Sequence, residues 1–281
     1  MKKIKVSIQG FKGSYSHQAV KEIFQKNNLD FELVENSTFS EAFGSIRNTG
    51  FGIIPVENST AGFVHSAFNE LRNNDFEIIG EYFLDVNHVL LGIKNSALKN
   101  IKKVFSHYQA LLQVSDFLQN KSIEIIDFGD TAGGAKYISE EKNNKFGALG
   151  SEILSEIYNL DILAKNINNE KENTTRFLLI RKKDKGDILK KIKTKNTFKT
   201  SLILKVKDSL GVLYKILGCF ADKNINLTKI ISQPLKGKRF KYSFYIEFNG
   251  KKNDIDVRYA LKKIEYFTEE IIFLGSFCEV E

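Results

Sequence analysis

Three polar segments of this chain each follow an apolar run, and each offers hydroxyls, amides and backbone N–H groups more than formal charges. They are GFKGSYSH at residues 10–17, which includes Ser14, PVENSTAG at 55–62 and GDTAGG at 129–134. Ser106, His107 and Gln109, after Val104 and Phe105, make a fourth. In open α/β sheets a ligand sits beyond the carboxyl ends of the strands, where helix N-termini present free N–H groups to anions. Four such segments predict a cleft lined with hydroxyls, amides and free backbone donors. Taken singly, each reads as turn and cap residues, with Glu57 a first-turn acid and His17 an exposed helix residue. A fifth segment, ENTTRFLLI at 172–180, carries two threonines and an arginine into a wholly apolar strand. The planar guanidinium of Arg176 suits a substrate carboxylate; its other reading is a structural arginine paired with a nearby acid.

Other chemistries find little support. His17, His65, His88 and His107 have no close pairing and no Cys or Asp at ligand spacing, so no metal is expected. There is no Walker sequence, and the glycines of GFKGSYS do not have dinucleotide spacing, so no cofactor is expected. Cys219 and Cys278 lie far apart in apolar segments, which predicts a reduced, cytoplasmic protein.

The elements that must position these residues alternate. Strands are expected at residues 3–9, 31–34, 51–55, 78–86, 89–93, 123–128, 146–149 and 175–181. The first of them, with Val6 and Ile8 alternating with polar neighbours, reads as a sheet edge. Helices are expected at 16–26, after Thr38, at 61–71, through Ala110–Leu118, at 131–139 and at 151–158. Thr38 with Glu41 forms a capping-box signature, and Ser151 is the expected cap of the last helix. Such alternation means mostly parallel sheets with helices on both faces, here in two lobes around a cleft. From residue 200 the order becomes strand 200–206, helix 211–223, strands 227–232 and 240–248, helix 257–264 and strand 271–277, the ferredoxin-like βαββαβ pattern.

The formal charge of +8 is concentrated. Residues 181–200 hold nine Lys or Arg against Asp184 and Asp187, a net +7, without the interleaved aromatics that stack bases. This reads as a solvated linker and not as a nucleic-acid surface. No apolar run is long enough for a membrane span, and the N-terminus lacks the apolar core of a signal peptide.

In order along the chain, the opening glycine turn, GIIPVENSTAG at 52–62, SHYQAL at 106–111, DTAGGA at 130–135, NTTRF at 173–177 and the GVLYKIL and NLTKI segments resemble the prephenate dehydratase family over essentially the whole length. The resemblance implies a two-lobed, periplasmic-binding-protein-like catalytic domain at 1–181, with lobe one at about 1–77 plus 165–181 and lobe two at about 78–164. A basic linker at 182–198 and a ferredoxin-like ACT regulatory domain at 199–281 would follow. It implies cofactor-free loss of water and carbon dioxide from prephenate to give phenylpyruvate, in L-phenylalanine biosynthesis. By position in the motif, Thr175 is expected at the leaving hydroxyl and Arg176 at a carboxylate. Asn58 and Ser59, with Ser106, Gln109, Thr131 and Ser14, would supply further donors, and Glu57 would orient them. The neighbouring readings are an arogenate dehydratase, which a cleft acid facing the substrate ammonium would favour, and a non-catalytic amino-acid sensor. An N-terminal chorismate mutase domain, carried by some relatives, is not expected.

For regulation, the resemblance places L-phenylalanine between paired ACT domains of a homodimer or homotetramer. Gly211, Val212 and Leu213 stand at a helix start, and Asn224, Asn226, Leu227 and Ser232 at and after the next turn. The family's Glu-Ser-Arg-Pro reads Ile231, Ser232, Gln233, Pro234 here. Both charges are gone together, as if an internal ion pair had been removed, and weaker effector binding is expected.

Overall fold

The computed structural model describes residues 3–72, 75–186, 188–235 and 242–281. Its elements, in order, are β1 (Ile4–Gln9), α1 (Tyr15–Lys26), β2 (Phe31–Asn36), α2 (Phe39–Thr49), β3 (Phe51–Asn58), β4 (Gly62–Phe63), α3 (His65–Leu71), β5 (Phe76–Asp85) and β6 (Val89–Ile93). Next come β7 (Lys103–Ser106), α4 (Tyr108–Leu112), α5 (Ser115–Asn120), β8 (Glu124–Asp127), α6 (Thr131–Glu141), β9 (Phe146–Gly150), α7 (Ile153–Tyr158), β10 (Leu160–Ala164) and β11 (Thr174–Lys182). The remainder is β12 (Thr194–Val206), α8 (Val212–Ala221), β13 (Leu227–Pro234), β14 (Tyr242–Asn249), α9 (Ile255–Ile264) and β15 (Thr268–Val280). No helix among the described residues is long and apolar enough to cross a membrane.

The chain forms two compact units, Met1–Ala67 with Phe83–Phe177, and Phe68–Tyr82 with Leu178–Glu281. The first contains the two expected α/β lobes. One is built on strands in the order β11-β3-β1-β2, with β1 parallel to both β2 and β3. Strand β1 is therefore central, contrary to the expected edge. Its Ser7 is fully buried and donates to the Ala42 carbonyl at 2.9 Å, so a polar residue that suggested a solvated face is satisfied inside. Helix α2 starts as expected, with Thr38 and Glu41 exchanging both capping-box bonds.

The other lobe is a five-stranded sheet in the order β10-β6-β9-β7-β8. Period-two alternation divides its apolar residues between two clusters. Leu90, Val104 and Leu149 pack with Leu111, Val114 and Leu118. Val89, Leu91, Phe105 and Ala148 pack with Ala132, Ala135, Ile138 and Leu154. Both faces are thus covered by helices, although the sheet is mixed where a mostly parallel one was expected: β9, β7 and β8 run parallel, and β6 is antiparallel to both β9 and β10. Strand β10, antiparallel to β6, was not expected from the sequence.

Two local expectations change. The helix expected from 61 starts at His65, because Gly62 returns to pair with Asn58 in a β3–β4 hairpin. Ser151 does not cap α7. Its hydroxyl donates 2.7 Å to the Gly13 carbonyl.

In the second unit β12 to β15 take the order β13-β14-β12-β15, followed by β5. With α8 and α9 this is the expected ferredoxin-like arrangement, packed around Leu202, Ile216, Phe220, Ile246, Phe248 and Leu261. The expected strand start at Phe240 lies outside the described residues. Strand β5 joins this unit because Gly80 and Glu81 pair in parallel with Cys278 and Glu279 of β15. Residues 68–82 therefore cluster with 178–281, whereas the sequence suggested a boundary near 181.

The segment expected to be a solvated linker is largely structured. A 3-10 turn spans Ile188–Lys191, Ile188 and Ile192 are buried, and β12 begins at Thr194. Three of its basic residues pair with acids outside it: Arg181 with Glu77 at 2.6 Å, Lys195 with Glu279 at 2.6 Å and Lys199 with buried Glu81 at 2.8 Å.

Candidate active-site cleft

Within the first unit the polar segments meet around a cavity of about 550 Å³. Gln9 and Gly10 come from the end of β1, Ser14 and Tyr15 from the start of α1, Glu57 and Asn58 from β3, and Thr175 and Phe177 from β11. His107, Gln109 and Gln113 around α4, and Gly129, Asp130 and Thr131 at the start of α6, line it from the five-stranded lobe. Among the described residues neither Lys nor Arg lines it. An anion placed there would meet neutral donors, among them the first-turn N–H groups of α1 and α6. Gly134 lets α6 approach closely: a Cβ there would stand 2.6 Å from the Phe105 carbonyl oxygen.

Of the expected residues, Ser14, Glu57, Asn58, Gln109, Thr131 and Thr175 line the cavity, and Ser59, Ser106 and Arg176 do not. Ser59 instead bonds the backbone of β11, its hydroxyl accepting from the Thr174 N–H at 2.9 Å. Ser106 is fully buried and donates to the Leu149 carbonyl at 2.7 Å. Arg176 is 5% exposed. Along β11 alternate side chains face opposite ways, so the face that brings Thr175 and Phe177 to the cavity turns Arg176 away from it. His17 is buried, accepting at Nδ1 from the Gly13 N–H at 3.0 Å, and burial lowers its pKa.

Asn58 is the hub. Its Oδ1 accepts from the backbone N–H groups of Thr60 and Ala61 at 3.0 and 2.8 Å. Backbone N–H groups only donate, so this atom is the oxygen and the Asn58 amide has one orientation. Its Nδ2 then faces Asn173 Oδ1 at 2.7 Å and Thr175 Oγ1 at 3.0 Å. With an Oγ1 lone pair so engaged, the Thr175 proton points elsewhere, and no protein acceptor takes it among the described residues.

Tyr15, His88, Gln113 and Asn173 join the site without having been expected from the sequence. Tyr15 and Asn173 sit inside segments already singled out. His88 carried a signal in VNHVLL, a lone imidazole entering an apolar strand, and Gln113, one turn beyond Gln109, carried none. Burial lowers the His88 pKa to about 4, a Gln113 hydrogen bond opposing it, so the ring is neutral at pH 7. Burial also raises the Tyr15 phenol well above its ordinary range, Glu152 adding to it.

The effector residues expected in the second unit do not form one constellation within a chain. Gly211, with φ of 68°, is the N-cap of α8, whereas Asn224, Asn226 and Leu227 follow its other end. Ten helical residues separate the groups by about 15 Å. Ser232 is exposed on β13. Gln233, in place of the family arginine, is buried and accepts from the Arg72 guanidinium at 3.1 and 2.5 Å.

A two-lobed α/β fold around a polar cleft, followed in sequence by a ferredoxin-like fold, defines a class of small-molecule enzymes and binding proteins. Within that class, the chain belongs to the prephenate dehydratase family, whose profile matches residues 6–185. It is 37% identical to the prephenate dehydratase of Methanocaldococcus jannaschii, with 95% of each chain covered. It is 35% identical to the bifunctional chorismate mutase/prephenate dehydratase of Aquifex aeolicus, covering 98% of this chain and 74% of that one. It is 33% identical to the chloroplastic arogenate dehydratase/prephenate dehydratase 2 of Arabidopsis thaliana, covering 98% and 73%. Among solved structures it is similar to GqqA, described as a quorum-quenching acylase, with 27% identity, a TM-score of 0.86 and 98% of each chain covered. The fold also matches the Arthrobacter aurescens prephenate dehydratase in complex with L-Phe, at 22% identity and a TM-score of 0.85, covering 98% and 89%.

Proposed function

We propose that the chain converts prephenate to phenylpyruvate, water and carbon dioxide. The observation that carries this reading is the Asn58–Thr175 hydrogen bond at the edge of the cleft, which leaves the Thr175 hydroxyl proton free for a substrate oxygen. In the reaction the ring carboxylate leaves as carbon dioxide, and its bonding electrons enter the ring as it becomes aromatic. The C–O bond at the opposite ring carbon breaks, and the hydroxyl departs as water after gaining one proton. Thr175 donates to that oxygen as charge develops on it, and a positioned donor in a cleft shielded from water stabilises such charge. Phenylpyruvate formation by purified protein tests the reading. Folded protein that forms none overturns it.

A second reading, arogenate as substrate, gains support from Glu57 and Asp130, which line the cleft and offer carboxylates to a substrate ammonium. Parallel kcat/KM measurements with the two substrates decide between them.

The proposal extends to the rest of the chain. Residues 1–181 hold the catalytic domain, 182–198 connect it and 199–281 form an ACT regulatory domain. This domain assembles a homodimer or homotetramer and binds L-phenylalanine between paired copies as a feedback inhibitor. The ferredoxin-like topology and the L-Phe complex of the Arthrobacter relative support this. Two free, buried cysteines suit the cytoplasm. Calorimetric titration with L-phenylalanine beside activity assays tests the regulatory part; neither heat nor inhibition at millimolar ligand would reduce the domain to a scaffold.

A further inference from the structure

Four side chains beside the cleft close a ring of hydrogen bonds that all run one way. Gln113 Nε2 donates to Thr60 Oγ1 at 2.9 Å, and Thr60 Oγ1 donates to Asn58 Oδ1 at 2.7 Å. Asn58 Nδ2 donates to Asn173 Oδ1 at 2.7 Å, and Asn173 Nδ2 donates to Gln113 Oε1 at 2.9 Å. Reversing the ring would flip Asn58 and set its NH₂ against the Thr60 and Ala61 backbone N–H groups, two donors facing a donor. The direction is therefore fixed.

Two groups attach to this ring. On the cleft side, Asn58 Nδ2 donates to Thr175 Oγ1. At Gln113, His88, which also borders the cavity, has Nε2 2.8 Å from Gln113 Oε1. Since the ring makes that atom an oxygen, Nε2 carries a proton. Nδ1 of the neutral imidazole is then the acceptor, and Tyr15 Oη, 2.8 Å away, donates to it in preference to the Asn87 carbonyl at 3.2 Å. His88 is 2% exposed, and it edges the Tyr15 ring at a centroid distance of 5.4 Å.

We propose that His88 is a positioning residue for the dehydratase reaction. Held by Tyr15 as the Nε2–H tautomer, it fixes the Gln113 amide and, through Asn173 and Asn58, the direction in which Thr175 points its proton. His88 acts through the ring and does not itself donate to the leaving hydroxyl. The ring also explains why Asn173, Gln113 and Thr60 stand where they do: each fills the one donor and one acceptor position its neighbours leave.

The role in catalysis rests on the dehydratase reading, whereas the tautomer does not, and two experiments separate them. In ¹⁵N-histidine-labelled protein at pH 7, His88 is expected to show the neutral Nε2–H pattern. An Nδ1–H pattern, or a mixture of tautomers, overturns the proposal whatever the activity. In kinetics, His88→Phe is expected to lower kcat roughly 5- to 50-fold, the scale of couplings between contacting groups, with KM changed less than about threefold. The same substitution in a Thr175→Val background is expected to change the residual kcat less than about threefold. Equal losses in both backgrounds make His88 merely structural and overturn the proposal. His88→Gln, which returns an amide N–H towards Gln113, is expected to lose less kcat than His88→Phe. If His88→Phe does not fold, the isosteric Asn173→Asp takes its place in the cycle, since it keeps the acceptor for Asn58 and removes the donor to Gln113. Wild-type protein that forms no phenylpyruvate would overturn the dehydratase reading and leave the tautomer measurement to decide the ring.

Discussion

Thr175 and Arg176 are adjacent on β11 and face opposite ways, the hydroxyl to the cleft and the guanidinium to a buried site 5% exposed. The proposed donor to the leaving hydroxyl and a buried arginine are therefore consecutive residues. Thr175→Val is expected to lower kcat by roughly 10²–10⁴, the scale of a lost positioned donor, with Tm unchanged. Arg176→Lys is expected to lower Tm by about 4 °C or more, with KM for prephenate within about twofold. Steady-state kinetics beside thermal melts read both; the reverse pattern would exchange the two roles.

Asn58→Asp isolates the donor to Thr175. A carboxylate still accepts from the Thr60 and Ala61 N–H groups, so the hairpin is kept, but it cannot donate to the Thr175 hydroxyl. That hydroxyl would turn its proton back towards the new carboxylate. A fall in kcat of roughly 10- to 10³-fold is expected, the range spanned by lost electrostatic donors. A kcat within twofold of wild type would show that the Asn58 contact does not orient Thr175.

Ser106→Ala tests the placement of Ser106 away from the cleft. It leaves the buried Leu149 carbonyl without the hydroxyl that now donates to it, a loss of about 1–3 kcal/mol. Chemical denaturation is expected to register that loss while kcat and KM hold. A rise in KM with unchanged stability would return Ser106 to the substrate.

His88 gives the fold an acid sensitivity. Its folded pKa of about 4 lies below the ordinary 6.5 because burial opposes the charged ring. Above pH 6.5 both folded and unfolded chains hold the ring neutral, and stability from this residue is complete. Between 6.5 and 4 the unfolded chain takes up a proton that the folded one refuses, so stability falls by roughly 3 kcal/mol in total. His17, also lowered by burial, adds in the same direction. Urea midpoints from pH 7 to 4 measure the decline, and His88→Gln is expected to flatten part of it.

Much of this was legible in the residues. The polar segments after apolar runs located the cleft, since strand–helix turns in α/β folds gather at one end of their sheets. Thr38 with Glu41 marked a helix start by side-chain chemistry alone. The alternation after residue 200 gave the ferredoxin-like order. Direction along a strand was harder to read: Arg176 and Ser106 have the chemistry of a site and the orientation of a core. Pairing partners were invisible as well. Ser151 reads as a cap until Gly13, 138 positions away, is seen beneath it, and the basic stretch reads as solvated until Glu77, Glu81 and Glu279 meet it. The ring around Asn58 joins residues from 58 to 173, and no local pattern encodes a closure of that span.

The pairing of β5 with β15 bears on how such a chain can be cut or recombined. Cleavage near residue 181, where the sequence suggests a joint, would strip Cys278 and Glu279 from Gly80 and Glu81 and expose an apolar strand edge, a template for aggregation. The ferredoxin-like portion is accordingly not a bead that can be spliced on at one point. Grafting it onto another scaffold means transferring residues 68–82 with it, two inserts in register, or redesigning the strand they leave behind.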